Sequence, residues 1–182
     1  MNKNICVFCG SRPGSNDQWS TWAKDLGQGI ATRNWTLVFG GGGNGLMGQI
    51  AQGALHQQGR VIGITPHGLQ TEQANMALLT EVHYVQTMSE RKEMMSNMAN
   101  AFVIIPGGIG TFDELFEVWA TAQIGFHKKP IILANWSGYY DGLIHFLQQS
   151  LQHGLMSESH FEKIQIVQTV SEIFTYLEKS LA

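Results

Sequence analysis

Two patterns of hydrophobic residues, one typical of strands and one typical of helices, alternate along this chain, and few folds are compatible with such alternation. Short runs rich in β-branched residues are followed by longer stretches in which apolar residues recur every three to four positions. Such alternation is typical of βαβ units, in which helices join parallel strands. The sequence therefore predicts an α/β fold, a Rossmann-like doubly wound three-layer sandwich with a mostly parallel sheet.

The predicted elements are spread over the whole chain. Strands are expected at residues 5–9, 36–39, 61–65, 82–86, 102–105, 131–134 and 164–167. Helices are expected between the first two strands, after Gly45, and near Ser89, Thr111 and Tyr139. The first and last helices carry apolar stripes, formed by Trp19, Trp22, Ala23, Leu26 and Ile30 and by Ile173, Phe174, Leu177 and Leu181. With 182 residues and no visible linker, residues 1–182 are expected to form a single domain.

Composition and charge narrow the classes of partner. The formal net charge is -3 and no run of Lys and Arg forms a basic stripe, which argues against polymeric nucleic acid. No apolar stretch reaches membrane-spanning length and no signal-like segment opens the chain, so a cytoplasmic location without membrane contact is expected. Hydrophobic residues make up 43% and charged residues 14%, which makes self-association plausible.

The cysteines and histidines do not suggest a metal or redox site. Cys6 and Cys9 lie three residues apart in a predicted strand, where their side chains point to opposite faces. The seven histidines are scattered without zinc-binding spacing. We therefore expect two structural cysteines, no metal and no cofactor.

A first glycine-rich turn follows the second predicted strand. In GGGGNGLMG, residues 40–48, the glycines Gly40, Gly42 and Gly45 satisfy GxGxxG, which lets a backbone approach phosphate closely. No Asp or Glu ends the next predicted strand, as an NAD site would require, and there is no Walker-type GK[ST]. An NAD-dependent oxidoreductase is therefore disfavoured.

A second glycine-rich turn, PGGIGTFDE at residues 106–114, follows a strongly apolar strand. Its glycines can present successive N–H groups, and the helix predicted near Thr111 adds a partial positive charge, so a phosphate monoester suits it. Glu114 has two interpretations. Thr111 to Glu114 spells T-x-x-E, a capping box, but a carboxylate beside a phosphate site is also a candidate catalyst.

A charged cluster, TMSERKEMM at residues 87–95, follows the fourth predicted strand. Arg91 and Lys92 lie in the first turns of a predicted helix, where positive charge opposes the helix dipole, and this suggests an anionic partner. The alternative is a solvated face on which Glu90 and Glu93 neutralise the pair and residues 87–90 form a capping box. The pattern alone leaves both open.

Two further segments are candidates for the site. The loop at residues 66–80, with His67, Gly68, Glu72, Gln73 and Asn75, has the length of a lid or binding segment. Ser11, in FCGSRPG after the first strand, lacks the context of a nucleophile elbow and is expected to line a phosphate or sugar pocket.

Taken together and in this order, FCGSRPG, GGGGNGLMG, SERKEMM and PGGIGTFDE resemble the LONELY GUY family of cytokinin-activating phosphoribohydrolases and AMP-cleaving enzymes. The resemblance implies a Rossmann-like dimer or higher oligomer with its active site near the subunit interface. It also implies hydrolysis of the N-glycosidic bond of an adenine-type nucleoside 5'-monophosphate, giving the free base and ribose 5-phosphate.

The resemblance also implies roles for individual residues. Arg91 and Glu114 correspond to the catalytic residues, and a carboxylate near the anomeric carbon would stabilise positive charge on the ribose. Phosphate or substrate binding is expected of Ser11, Gly42, Gly43, Lys92, Gly107, Gly108, Ile109, Gly110 and Thr111, and base contact of Glu72 and Met88. Ser89 and Ala120 depart from the family pattern, which leaves the choice between AMP and an N6-substituted analogue open.

Other functions remain as alternatives. A non-catalytic nucleotide or cofactor carrier would also explain two glycine turns without a metal site or a standard nucleophile. Lysine decarboxylation is disfavoured, because no lysine is visibly placed for a Schiff base with pyridoxal phosphate.

Overall fold

Parallel strands form the centre of the molecule in the computed structural model, which describes residues 2–68 and 76–182. The sheet has seven strands in the order β4-β3-β2-β1-β5-β6-β7, and every neighbouring pair is parallel. The strands are β1 Asn4–Phe8, β2 Thr36–Phe39, β3 Arg60–Pro66, β4 Glu81–Val85, β5 Ala101–Ile104, β6 Ile131–Ala134 and β7 Ile164–Val167. Each lies on a predicted strand, with ends that differ by one residue at most.

Helices follow the strands as the hydrophobic periods predict. They are α1 Asp17–Thr32, α2 Gly45–His56, α3 Met88–Met98, α4 Ile109–Gln123, α5 Asp141–Gln152, α6 Glu158–Phe161 and α7 Val170–Ser180. Helix α4 begins two residues before Thr111 and α5 two residues after Tyr139, because caps and turns shift helix ends without changing the periodicity. The short α6 was not predicted.

The sheet is buried on both faces, which makes the architecture a three-layer sandwich. On one face, residues such as Ile5 and Val7 pack against α1, α2 and α7. On the other face, residues such as Phe8 and Phe102 pack against α3, α4 and α5. The predicted Rossmann-like fold is therefore confirmed.

The two cysteines lie on opposite faces of the sheet. Cys9 belongs to the layer with α1, α2 and α7, and Cys6 to the layer with α3, α4 and α5. Both thiols are buried, and burial raises the pKa of each well above its ordinary value. They are packing residues, not a redox pair.

The strand order reverses direction beside β1. From β1 the chain moves outward through β2, β3 and β4, and it then returns to place β5 on the other side of β1. In open α/β sheets, ligands bind outside the carboxyl ends of the strands at such a switch point. The turns that follow β1, β2 and β5 meet there. Within the described ranges, no helix combines the length and the hydropathy needed to cross a bilayer.

Candidate functional site

A cleft of about 780 Å³ opens at the switch point. It is lined by the segment after β1, residues 9–12, 14 and 15, and by the turn after β5 with the start of α4, residues 106–111. Leu46 and Met47 of α2, together with Trp19 and Tyr139, complete the described lining. The side chains of Arg91 and Glu114 belong to its lining, as Ser11 does. Its volume suits a small ligand.

An ion pair between Arg91 on α3 and Glu114 on α4 lies in this cleft. The Nη1 atom of Arg91 donates to Oε1 of Glu114 at 3.1 Å, and both residues are only 7% exposed. The Nε atom donates to the carbonyl of Ile64 at 3.0 Å, and Nη2 donates to the carbonyl of Gly40 at 3.2 Å. Arg91 is therefore anchored to the carboxyl ends of β2 and β3.

This geometry decides between the interpretations of the two charged motifs. Arg91 does not lie on a solvated face. Glu114 is not a capping residue, because the N-cap of α4 is Gly108 and Glu114 lies in the second turn. The capping box predicted at residues 87–90 differs from the standard arrangement. The hydroxyl of Thr87 accepts a hydrogen bond from the N–H of Glu90, but the carboxylate of Glu90 accepts from the N–H of Gln86, one residue before the N-cap.

Gly40, the first glycine of GxGxxG, makes room for Arg91. A Cβ atom at this position would overlap Nη2 of the guanidinium. Gly42 and Gly43 lie outside the lining of the cleft, and the N–H of Gly42 donates to Sδ of Met47 at 3.1 Å. In this protein the motif thus accommodates an arginine and fixes Met47 at the cleft.

Burial makes Glu114 an unusual carboxyl group. Removal from water raises its pKa from the ordinary value of 4.5 to about 7, although the neighbouring Arg91 guanidinium acts in the opposite direction. Such a group can exchange a proton near neutral pH. A perturbed carboxyl in a cleft is a common property of catalytic sites.

The N-terminus of α4 presents anion-binding groups to the same cleft. The first backbone hydrogen bond of the helix runs from the N–H of Phe112 to the carbonyl of Gly108, at 3.0 Å. The N–H groups of Ile109, Gly110 and Thr111 precede that bond, so they have no acceptor within the helix. Together with the helix dipole, they favour a phosphate or another anion.

The turn before α4 is held rigidly. The N–H of Gly10 donates to the carbonyl of Pro106 at 3.0 Å, and the hydroxyl of Tyr139 donates to the carbonyl of Gly107 at 2.6 Å. A Cβ atom on Gly107 would overlap Oγ1 of Thr111, so this close packing requires glycine. The N–H groups are therefore oriented before a ligand arrives.

Lys92 and Met88 take positions outside the cleft lining. The ammonium of Lys92 binds Asp113, with Nζ to Oδ2 at 2.9 Å, and also binds Glu117. Met88 is the first residue of α3 and is 46% exposed. Glu72, Gln73 and Asn75 lie outside the described residues. The roles assigned to these residues from the resemblance stay predictions.

Several residues that line the cleft were given no role from the sequence, among them Arg12, Trp19, Met47 and Tyr139. Arg12 is exposed, and no ion pair involves it within residues 2–68 and 76–182. Its position next to Ser11 in FCGSRPG was an available signal. The sequence pattern assigned Trp19 only to the apolar stripe of α1, so its position in the lining of the cleft was not predicted. Over the part of the chain that the structure describes, no cluster of His, Cys, Asp or Glu is suited to a metal ion.

Comparison with known proteins gives clear relatives. Residues 47–177 match the family model described as "Possible lysine decarboxylase". The chain is 41% identical over 178 residues to cytokinin riboside 5'-monophosphate phosphoribohydrolase LOG3 of Arabidopsis thaliana, covering 97% of this chain and 82% of that protein. It is 38% identical over 181 residues to the probable cytokinin riboside 5'-monophosphate phosphoribohydrolase LOG4 of Oryza sativa subsp. japonica, covering 99% and 78%.

Solved structures share the fold at lower identity. The molybdenum cofactor binding protein of Rippkaea orientalis superposes with a TM-score of 0.75 at 21% identity, covering 100% of this chain and 99% of that chain. At such identity the likeness establishes the architecture alone.

Proposed function

Because the chain belongs to the LONELY GUY family, we propose that it hydrolyses the N-glycosidic bond of an adenine-type nucleoside 5'-monophosphate, AMP or cytokinin riboside monophosphate, to the free base and ribose 5-phosphate. Membership of the family suggests phosphoribohydrolase activity, and the choice of substrate is our inference. The observation that carries the proposal is the buried pair of Arg91 and Glu114 beside the N-terminus of α4.

In the proposed reaction, the substrate phosphate binds the N–H groups of Ile109, Gly110 and Thr111. The ribose then extends toward Glu114, which lies in the next turn of the same helix. Breaking the bond from C1' to the base nitrogen develops positive charge on the ribose, and a carboxylate beside C1' stabilises it. Water supplies a hydroxyl group to C1' and a proton to the departing base.

Arg91 serves as a positioning and electrostatic group in this scheme. A guanidinium does not release its proton at neutral pH, so it cannot act as the general acid. Its bonds to Ile64 and Gly40 fix it, and its bond to Glu114 fixes the carboxylate and favours the ionised form. The pair is thus arranged to present the carboxylate of Glu114, which is itself largely buried, to the cleft.

The proposal is tested by comparing AMP, N6-isopentenyl-AMP and adenosine as substrates. Chromatography should detect free base from both monophosphates in equimolar amount with ribose 5-phosphate, and the relative kcat/KM should identify the preferred base. Adenosine should react at least about 100-fold more slowly, because it lacks the anchoring phosphate. Arg12→Ala should reduce this preference for the monophosphate, since Arg12 is a second cation at the cleft.

Recovery of intact nucleotide from a tight complex would instead support a non-catalytic carrier, the alternative function. Equal rates with adenosine and AMP would contradict the phosphate-binding role of α4. Each result identifies a different part of the proposal as wrong.

The activity should depend on the ionisation of Glu114. We expect kcat/KM to rise with pH through about 7 and then to level off, because the carboxylate is the active form. Below this midpoint, each pH unit should lower the rate about tenfold. The second pKa of the substrate phosphate is near 6, so its ionisation should appear about one pH unit below that of Glu114. A profile that is flat between about pH 6 and 8 would count against Glu114 as the reactive carboxylate.

The ionisation of Glu114 should also affect the free energy of unfolding, which we expect to fall as pH rises, whereas the activity rises. The pKa of Glu114 is about 7 in the folded protein and near the ordinary 4.5 in the unfolded chain, so the folded state binds the proton more tightly. The resulting stabilisation is fully present below 4.5 and is lost as pH rises through 7. Urea unfolding across this range should therefore show a decline that is absent in Glu114→Gln.

We further propose that the protein forms a homodimer or a higher homo-oligomer. The outer side of helix α4 carries two exposed apolar residues, Ile109 at 83% and Phe116 at 41%, and the apolar surface continues just beyond the end of the helix with Ile124 at 63% and Phe126 at 79%. These residues lie away from the buried face of α4 that holds Glu114, but Ile109 also lines the cleft, so a partner bound to this surface would lie close to the cleft. Sedimentation should give at least twice the 20.2 kDa of one chain. Ile124→Asp combined with Phe126→Asp should produce monomers, and a monomeric wild-type protein would contradict the proposal.

A further inference from the structure

Lys92 links α3 to the helix that carries Glu114. Its Nζ atom lies 3.0 Å from Oδ1 and 2.9 Å from Oδ2 of Asp113, and it also binds the carboxylate of Glu117. Asp113 precedes Glu114 by one position and Glu117 follows it by three. The Lys92 side chain is 17% exposed, compared with 54% for Asp113 and 39% for Glu117. The lysine is thus largely enclosed by the contacts that it makes.

Two neighbouring residues of α3 therefore form ion pairs with the same part of α4. Arg91 binds Glu114 on the inner side, and Lys92 binds Asp113 and Glu117 on the outer side. Core packing of residues such as Leu115 and Val118 already restrains α4. The contacts on both sides of Glu114 add a restraint at the turn of the helix that carries this carboxylate. An isolated surface ion pair contributes little, but a network that shares one lysine has more effect.

We infer that Lys92 is a positioning residue, whose ammonium holds Asp113 and Glu117 so that the carboxylate of Glu114 stays on the guanidinium of Arg91. The inference rests on the proposed function of Glu114. It gives Lys92 a role that needs no contact with the substrate, and it explains why the lysine is directed toward α4 and away from the cleft.

The network also determines the charge around Glu114. The charged groups that face it are Arg91 and Lys92 on α3 and Asp113 and Glu117 on α4, and the nearby thiols of Cys6 on β1 and of Cys9 just after it are neutral. Lys92 favours the carboxylate, whereas Asp113 and Glu117 oppose it. Removing the lysine and removing one of its partners should therefore move the ionisation of Glu114 in opposite directions.

The first test measures this ionisation directly, without substrate. In protein labelled with ¹³C at glutamate carboxyl carbons, the resonance that disappears in Glu114→Gln identifies Glu114. Its titration midpoint should rise in Lys92→Met and fall in Asp113→Asn, each by about half a pH unit because the network is partly exposed to solvent. Arg33→Met is the matched control, since it removes a distant ion pair with Glu178 and should leave the midpoint unchanged.

The second test separates positioning from substrate binding. At alkaline pH, where Glu114 is ionised in every variant, Lys92→Met should lower kcat for AMP about tenfold with little change in KM, because the carboxylate is less well held. Lys92→Arg should recover most of that loss, since a guanidinium can also bind two carboxylates.

Specific results would overturn the inference. A rise in KM at unchanged kcat in Lys92→Met would show that the lysine binds the substrate. Midpoints that shift in the same direction in Lys92→Met and Asp113→Asn, or that do not shift, would show that the network does not act on Glu114. If the wild-type protein hydrolyses no nucleotide, the proposed function fails, but the carboxyl titration still tests the role of Lys92.

Discussion

Glu114→Gln is expected to lower kcat for AMP about 1,000-fold, in the range seen when one group that stabilises transition-state charge is removed. Glutamine retains an oxygen that can accept the hydrogen bond from Nη1 of Arg91, at 3.1 Å in the native protein, so the helices should stay in place. It has no negative charge to offer the developing oxocarbenium. Steady-state assays of released adenine measure the effect, and KM should change much less than kcat.

The interpretation depends on a folded variant and a matched carboxylate. Glu93→Gln makes the same chemical change on the exposed side of α3 and should retain full activity. Circular dichroism and thermal melting should show that Glu114→Gln is folded, because Arg91 keeps its bonds to the carbonyls of Ile64 and Gly40 and can donate to the glutamine oxygen. If Glu114→Gln kept wild-type turnover, the carboxylate would have no part in the reaction.

The architecture could be predicted from the sequence because local patterns determine it. A run such as residues 131–134 is apolar on both faces, which is typical of a central parallel strand, and it forms β6. The spacing of Ala23, Leu26 and Ile30 predicted the buried face of α1, and all three are fully buried. The family resemblance was also confirmed by relatives about 40% identical over nearly the whole chain.

The charged contacts could not be predicted in the same way, because they join segments that are distant in sequence. Arg91 and Glu114 are 23 residues apart, and their pairing depends on the packing of α3 and α4 against the same face of the sheet. From the local sequence alone, T-x-x-E is as consistent with a helix cap as with a catalytic carboxylate. The N-cap at Gly108, three residues before Thr111, removes that interpretation, and only the backbone geometry of the turn reveals it.

The function of the two glycine-rich turns could also be predicted only in part from the sequence. The sequence identified both as places where backbone must approach another group closely. It could not identify the group, because Gly40 faces a guanidinium and Gly107 faces the side chain of Thr111. Arg91 is brought to Gly40 by α3, whereas Thr111 lies four residues after Gly107, in the first turn of α4. The motifs therefore predicted which segments contribute to the candidate site, and the tertiary structure was needed to pair its residues.

Arg91→Met is expected to abolish measurable hydrolysis and to lower the free energy of unfolding by about 3–5 kcal/mol, the usual result of breaking a buried ion pair from one side. The change leaves Glu114 buried without its cation, and it removes the donors to the carbonyls of Ile64 and Gly40. The pKa of Glu114 should then rise further above 7, so that the acid is protonated at neutral pH. Urea denaturation should find the larger destabilisation at alkaline pH, where the lone carboxylate must ionise.

A double variant distinguishes the structural role of the pair from its chemical role. Arg91→Met combined with Glu114→Leu removes both buried charges, and replacing a buried pair by apolar residues is often neutral or stabilising. Stability should therefore return toward that of the wild type, whereas hydrolysis should remain absent. Recovery of activity along with stability would mean that the pair only supports the fold. Stability that stayed low would mean that the bonds from Arg91 to the ends of β2 and β3, not its pairing with Glu114, hold this part of the molecule together.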